Sequence, residues 1–154
     1  MAEGRRWWMV LLVLAWMAQG KAQRFRLESK SDTTAVLMLE TLDARGKVTH
    51  TDRWKLTYPV YRFCVGDVNG DGMDEALVGV VKSTRFYPEK DRRIFVFKNV
   101  KGHIRPLWMG SRLAGRLVDF KVVSGRLRSL EQSEDGRQFA VAEYTWSRFG
   151  PSLS

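Results

Sequence analysis

The residues best suited to chemistry in this chain form one acidic stretch, Asp67-Val68-Asn69-Gly70-Asp71-Gly72-Met73-Asp74-Glu75. Four carboxylates this close together repel one another unless a cation or full solvation screens them. Oxygen ligands without histidine or cysteine suit a hard cation, and calcium in particular. Two glycines allow the tight turns that would direct these oxygens inward. The stretch therefore predicts a calcium loop, and the alternative is a solvated acidic turn.

The spacing differs from that of a complete EF-hand loop. An EF-hand carries a bidentate glutamate at position 12, where this chain has Val78. The flanks, 61–65 and 76–81, show the alternation or the short apolar run of strands rather than helices, so the loop is expected to join two strands. The expected metal ligands are the side chains of Asp67, Asn69, Asp71 and Glu75 and the carbonyl oxygen of Met73.

A family resemblance rests on Gly66-Asp67-Val68-Asn69-Gly70-Asp71-Gly72-Met73-Asp74-Glu75-Ala76-Leu77-Val78-Gly79. This segment resembles the calcium-loop core of FG-GAP/VCBS repeats, the repeat of the integrin alpha-chain propeller. In that family an aliphatic strand precedes a D-x-[DN]-x-D-G-x-x-[DE] loop, and later strands often read like Ile94-Phe95-Val96-Phe97. The resemblance covers residues 61–99. It implies an extracytoplasmic, β-rich calcium module and names no partner.

Strand patterns dominate the rest of the chain and predict an all-β fold. Apolar alternation and glycine-containing turns predict hairpins with turns at 43–46, 101–102 and 124–125, and a last long strand over 138–146. We expect an antiparallel meander of about nine to ten strands in one compact domain, with hairpins like propeller blades. The alternatives are a β-sandwich, or a partial propeller completed by oligomerisation, because a closed propeller needs at least about four blades.

The N-terminus has the order of a secretory signal. Arg5 and Arg6 precede the apolar segment 9–18, which is too short to span a bilayer, and small residues follow it. We expect residues 1–22 to be an export signal, cleaved after Gly20 or Ala22, and 23–154 to form a single β domain. The mature chain is then periplasmic or secreted, and no other apolar stretch is long enough to cross a membrane.

Charge and composition bear on the partners. The chain has 26 basic and 17 acidic residues, a formal net charge of +9, and such a field attracts anionic surfaces. Nucleic acid is not expected, because the chain carries an export signal and no recognisable nucleic-acid motif. The charged segment 82–93 is expected to protrude as a loop. Its Phe86 and Tyr87 either contact a partner or fold back over the sheet edge.

The function expected from these features is a calcium-stabilised binding or interaction module with no catalytic activity of its own. Its partner is then an unidentified protein, a glycan or an anionic surface, and oligomerisation is left open. One alternative is a structural or assembly protein of the envelope. Another is a metal-dependent hydrolase, which the sequence favours less because a catalytic metal needs a nearby general base and no such constellation stands out.

Overall fold

The computed structural model describes residues 21–110, 113–148 and 150–154, which form strands, turns and loops. Within these ranges there is no helix that could cross a membrane. The predicted export signal lies outside the described residues except for Lys21 and Ala22. Ala22 is the first residue of the first strand, so cleavage after Gly20 would leave that strand whole.

Eleven strands follow one another along the described chain: β1 (Ala22–Ser31), β2 (Thr34–Leu42), β3 (Val48–Leu56), β4 (Val60–Gly66), β5 (Glu75–Lys82), β6 (Asp91–Val100), β7 (His103–Met109), β8 (Arg116–Val123), β9 (Arg126–Gln132), β10 (Phe139–Ser147) and β11 (Gly150–Leu153). They form three antiparallel sheets, which we call the N-terminal sheet (β1-β2-β3), the middle sheet (β4-β5-β6-β7) and the C-terminal sheet (β11-β10-β9-β8). The prediction of an all-β antiparallel meander is confirmed.

The middle sheet is covered on both faces. Side chains of a strand alternate between faces, and β5 and β6 send their apolar residues to two separate cores. On one face Val78, Val80, Phe95 and Phe97 pack with residues of the N-terminal sheet such as Leu37. This double burial explains why β5 is a continuous apolar run rather than an alternating one.

The second core lies between the middle and C-terminal sheets. Leu77, Ile94 and Val96 of the middle sheet pack there with residues that include Phe120 and Leu127 of the C-terminal sheet. The sheets approach closely at Gly79, where an added Cβ would lie 2.7 Å from the Tyr61 ring and 2.8 Å from the Phe120 ring. Only glycine fits this contact without displacing an aromatic ring.

The predicted hairpins are present, and two of them turn through paired positive φ angles. Lys101 and Gly102 have φ of 53° and 84°, and Ser124 and Gly125 have φ of 50° and 72°. Two successive left-handed residues match the twist of a tight hairpin. These turns fix the register of β6 with β7 and of β8 with β9.

The architecture goes beyond the expected strand count. β1 and β11 are additional strands, and three packed sheets replace the two layers of the sandwich alternative. On its inward face, β1 carries two apolar side chains, the buried Phe25 and the half-buried Leu27. β11 has only four residues. Neither strand has the apolar pattern from which the others were predicted.

Candidate metal centre

The acidic loop joins β4 to β5 at one end of the middle sheet. Gly66 pairs with Glu75 across its base, so Glu75 is both the last loop residue and the first residue of β5. Val68, only 4% exposed, belongs to the core between the middle and C-terminal sheets. The turn of the β8–β9 hairpin adjoins the loop, because a Cβ at Gly125 would lie 3.2 Å from the Asp67 carbonyl. The loop is therefore fixed at two points, by Val68 in the core and by the β8–β9 turn beside Asp67.

Three of the predicted ligands come together. Asp67, Asp71 and Glu75 each offer a carboxylate oxygen, and these oxygens lie within 4.8 Å of one another. Two oxygens on opposite sides of one calcium ion are about 5 Å apart, because each Ca–O distance is about 2.3–2.6 Å. The spacing is therefore compatible with three ligands of one ion, although exposed acidic groups also cluster in loops that hold none.

Backbone amides satisfy Asp67, the central carboxylate of the loop. Its Oδ1 accepts hydrogen bonds from the amides of Gly70 (2.8 Å) and Asp71 (3.2 Å), and its Oδ2 accepts one from Gly72 (2.8 Å). Gly70 and Gly72 have φ of 76° and 85°, a region that favours glycine. The two glycines thus provide the turns that the sequence predicted.

The remaining predicted ligands, Asn69 and Met73, lie in the same network. Asn69 Oδ1 accepts a hydrogen bond from the Asp71 amide (2.9 Å), and Asn69 Nδ2 donates to Asp71 Oδ2 (3.1 Å). The Met73 amide donates to Asp71 Oδ1 (2.8 Å), and the Met73 side chain is 45% exposed. Asp74 is exposed and is not part of the three-carboxylate group. Asn69 Oδ1 accepts one hydrogen bond, from the Asp71 amide, and its second lone pair could still bind an ion.

Glu75 is the unusual member of the group because it is only 1% exposed. Its Oε2 accepts a hydrogen bond from the Val68 amide (3.0 Å) and a longer one from the Asn69 amide (3.4 Å). Burial raises the pKa of Glu75 to about 7, and the negative charges of Asp71 and Asp67 add to that rise. A divalent ion at this position would favour the ionised carboxylate that burial disfavours.

The loop acids have no basic partner in the part of the chain that the structure describes. The ion pairs found there join basic residues to other carboxylates, as in the pair between Arg62 of β4 and Asp119 of β8. That pair lowers the pKa of Asp119, chiefly through the hydrogen bond from Arg62. The three loop carboxylates are satisfied by amide donors alone, although the chain has 26 basic residues.

The protruding loop 83–90 gives each of its two aromatic residues a different environment. Phe86 is 81% exposed, whereas the Tyr87 ring packs against the Arg93 guanidinium, whose Cζ lies 5.3 Å from the ring centre. Tyr87 therefore matches the expectation of a ring that folds back, whereas Phe86 faces solvent and its contact with a partner stays a prediction. A cleft of about 430 Å³ lies beside Tyr87, lined also by Trp108 and Arg116 among others.

Two features were not predicted from the sequence. The cleft forms where the middle sheet meets the C-terminal sheet, and an apolar patch lies on the outer face of the C-terminal sheet. Both depend on strand register and sheet packing, which link residues far apart in sequence. The outward alternation of β10 was the one local signal available for the patch.

The single cysteine does not have the surroundings of a nucleophile. Cys64 is half-buried on β4 and packs against the core between the middle and C-terminal sheets. Burial raises the pKa of its thiol, which reduces the fraction of reactive thiolate at neutral pH.

In comparisons with known proteins, no family model matches the chain and no curated protein matches it.

Proposed function

We propose that this protein is an exported, calcium-stabilised binding module with no catalytic activity of its own. The observation that carries the proposal is the grouping of Asp67, Asp71 and Glu75 within 4.8 Å, with no basic ion-pair partner among the described residues. The resemblance of residues 61–99 to FG-GAP/VCBS repeats supports calcium as the ion. The basic, apolar and small-residue order of 1–22 supports export.

Calcium would act on the loop by offsetting its charge. Three carboxylates near one point repel one another, and one of them is buried. A divalent ion compensates both costs, and its binding free energy adds to the stability of the folded state. The ion therefore has a structural role in this proposal, because it fixes the end of the middle sheet beside the C-terminal sheet.

The binding role rests on the exposed features near the protruding loop. Phe86 is flanked by Arg85, whose guanidinium carbon lies 5.9 Å from the ring centre. Exposed aromatic rings beside arginine suit planar or anionic ligands. With a net charge of +9, the protein is suited to a protein partner, a glycan or an anionic surface.

Thermal unfolding of the full chain in calcium and in chelator tests the proposal. Calcium at a hundred times its Kd should stabilise the protein by about 2.7 kcal/mol, a rise in Tm of roughly 10 °C for a chain of this size. Magnesium should substitute poorly, because it demands a smaller and stricter octahedral site.

Two matched aspartates provide the variant and its control. Asp67→Asn should remove the calcium response. Asp43→Asn should keep it, because Asp43 also accepts backbone hydrogen bonds in an exposed turn, from Arg45 and Lys47, but is not in the carboxylate group. Equal Tm values in calcium and chelator for the unmodified protein would refute the proposal and leave the loop as a solvated turn.

A further inference from the structure

The two histidines of this chain lie together where the N-terminal sheet meets the middle sheet. His50 belongs to β3, and His103 is the first residue of β7. The centres of their rings are 6.3 Å apart, and the ring planes meet at 77°. Because the two residues come from different sheets and are distant in sequence, packing of the sheets produces this contact.

A carboxylate lies beside the histidine pair. Asp52 follows His50 by two residues on β3 and therefore projects from the same face of the strand, as does Trp54, which packs against the core. Asp52 Oδ2 lies 3.7 Å from His103 Nδ1. The same oxygen accepts a hydrogen bond from the Ile104 amide (2.7 Å), which ties Asp52 to the start of β7.

The separations are close to those of ligands that share one transition-metal ion. Zinc lies about 2.0–2.2 Å from nitrogen and oxygen ligands, so two ligands of a tetrahedral ion are about 3.3 Å apart. His103 Nδ1 and Asp52 Oδ2 are 3.7 Å apart. With the same bond lengths, the centres of two ligating imidazoles lie about 5–6 Å apart. At 6.3 Å, a small rotation of the exposed His50 side chain would complete the set.

Solvent reaches all three side chains, and the charges around them favour no simple cation. The side chains of His103 and Asp52 are 54% and 28% exposed, and His50 is exposed. Arg105 acts electrostatically on Asp52, and Lys101 lies in the turn before β7. An ion must therefore be held by bonds to imidazole rather than by negative charge. Imidazole suits zinc, copper and nickel, whereas calcium and magnesium prefer oxygen ligands.

We propose that His50, His103 and Asp52 bind one divalent transition-metal ion of the zinc and copper class, with water completing its coordination. The ion would join β3 to β7 and so fasten the N-terminal sheet to the middle sheet. This site uses no residue of the acidic loop 67–75. It therefore stands apart from the proposed calcium role.

Zinc titration of the full chain, prepared without a histidine tag and kept in saturating calcium, tests the site. Because the chain has two histidines, their imidazole C2–H signals in the proton NMR spectrum report on it directly. Both signals should change together and stop changing at one zinc per chain, with a Kd of about 0.1 mM or tighter. Copper should bind more tightly than zinc, and magnesium should leave both signals in place.

Three variants assign the ligands. His50→Gln and His103→Gln each remove one imidazole and should weaken zinc binding, measured by calorimetry, at least about tenfold. Asp67→Asn alters the acidic loop and should leave zinc binding unchanged. Zinc should raise the Tm of the unmodified protein and not that of His103→Gln. The NMR signals of the unmodified protein keep the test decisive if a variant folds poorly.

Several results would overturn this assignment. They are unchanged histidine signals at millimolar zinc, a change in only one of the two signals, or unweakened zinc binding by either histidine variant. Loss of zinc binding in Asp67→Asn would place the ion in the acidic loop instead. A calcium-dependent Tm without zinc binding would reject only the histidine site, and the reverse pattern would reject only the calcium role.

Discussion

Glu40 and Glu75 are both buried glutamates, and their surroundings are opposite. Glu40, on the outer face of β2, receives hydrogen bonds from Arg24 Nε (2.7 Å) and Arg26 (3.1 Å), and the hydrogen bond from Arg24 is the main cause of its lowered pKa. Within the described ranges, the donors to Glu75 are backbone amides, and burial raises its pKa to about 7. The fold pairs one buried carboxylate with its own arginines and leaves the other without a basic partner among the described residues.

Other acidic residues sharpen this contrast. Glu143 in the C-terminal sheet has two arginine partners, Arg126 and Arg128, as Glu40 has in the N-terminal sheet. The described donors to Glu131 are neutral and include the hydroxyls of Ser129 and Tyr144. The acidic loop differs because three carboxylates share one place.

The largest difference should appear when each buried glutamate becomes glutamine in chelator at pH 8. Glu75→Gln removes a buried charge and keeps an oxygen for the Val68 amide, so we expect it to stabilise the ion-free protein by about 1–3 kcal/mol. Glu40→Gln leaves Arg24 and Arg26 without their anion and should destabilise the ion-free protein. Urea denaturation measures both variants. Strong destabilisation by Glu75→Gln in chelator would contradict the contrast.

The pH dependence of the ion-free protein should follow the same contrast. The pKa of Glu75 is raised from 4.5 to about 7 in the folded state, so the folded state holds the proton more tightly than the unfolded state. Stability should therefore fall as pH rises from 4.5 to about 7, by at most about 1.4 kcal/mol per pH unit, and then level off. The difference in unfolding free energy between Glu75→Gln and the unmodified protein isolates this contribution.

Glu40 provides the opposite slope as a control. Its pKa is lowered, so its contribution is present above pH 4.5 and is lost as pH falls through its folded-state pKa. A difference curve for Glu75→Gln that stays flat between pH 4.5 and 7 would mean that the buried carboxyl carries no such cost.

The smallest difference in stability is expected between variants of Glu40 and Glu143, the two glutamates that each pair with two arginines. The Glu40 side chain is 7% exposed and that of Glu143 is 29% exposed, while their arginine partners are largely solvated. Solvent screening limits Glu40→Gln to about 1 kcal/mol of destabilisation. Glu143→Gln should lower the Tm by less. An equal or larger loss at Glu143 would mean that burial does not decide the strength of these pairs.

The fold was predictable wherever local pattern dominates. Period-two alternation and glycine turns identify the hairpins, and the continuous apolar run of β5 matches a strand covered on both faces. β1 was missed because its alternation rests on only two inward apolar residues, Phe25 and Leu27. The stacking of three sheets depends on contacts between distant strands, which no local pattern encodes.

The proximity of the three loop carboxylates was predictable from the sequence, whereas the electrostatics of Glu75 was not. The spacing of Asp67, Asp71 and Glu75 predicted that they share a loop, and their oxygens do lie together. Glu75 is buried and accepts a hydrogen bond from Val68, which belongs to the core between two sheets, and the motif encodes neither burial. The exposed apolar residues on the outer face of the C-terminal sheet likewise required the register of β9 with β10.

The central claim is that the loop 67–75 binds calcium, and calorimetric titration of calcium into chelator-treated, desalted protein tests it most directly. We predict one site per chain with a Kd between about 10⁻⁷ and 10⁻³ M, the range of sensor and extracellular calcium sites. Asp71→Asn should weaken this binding strongly. A flat isotherm at millimolar calcium, or the same isotherm for the unmodified protein and Asp71→Asn, would contradict the claim.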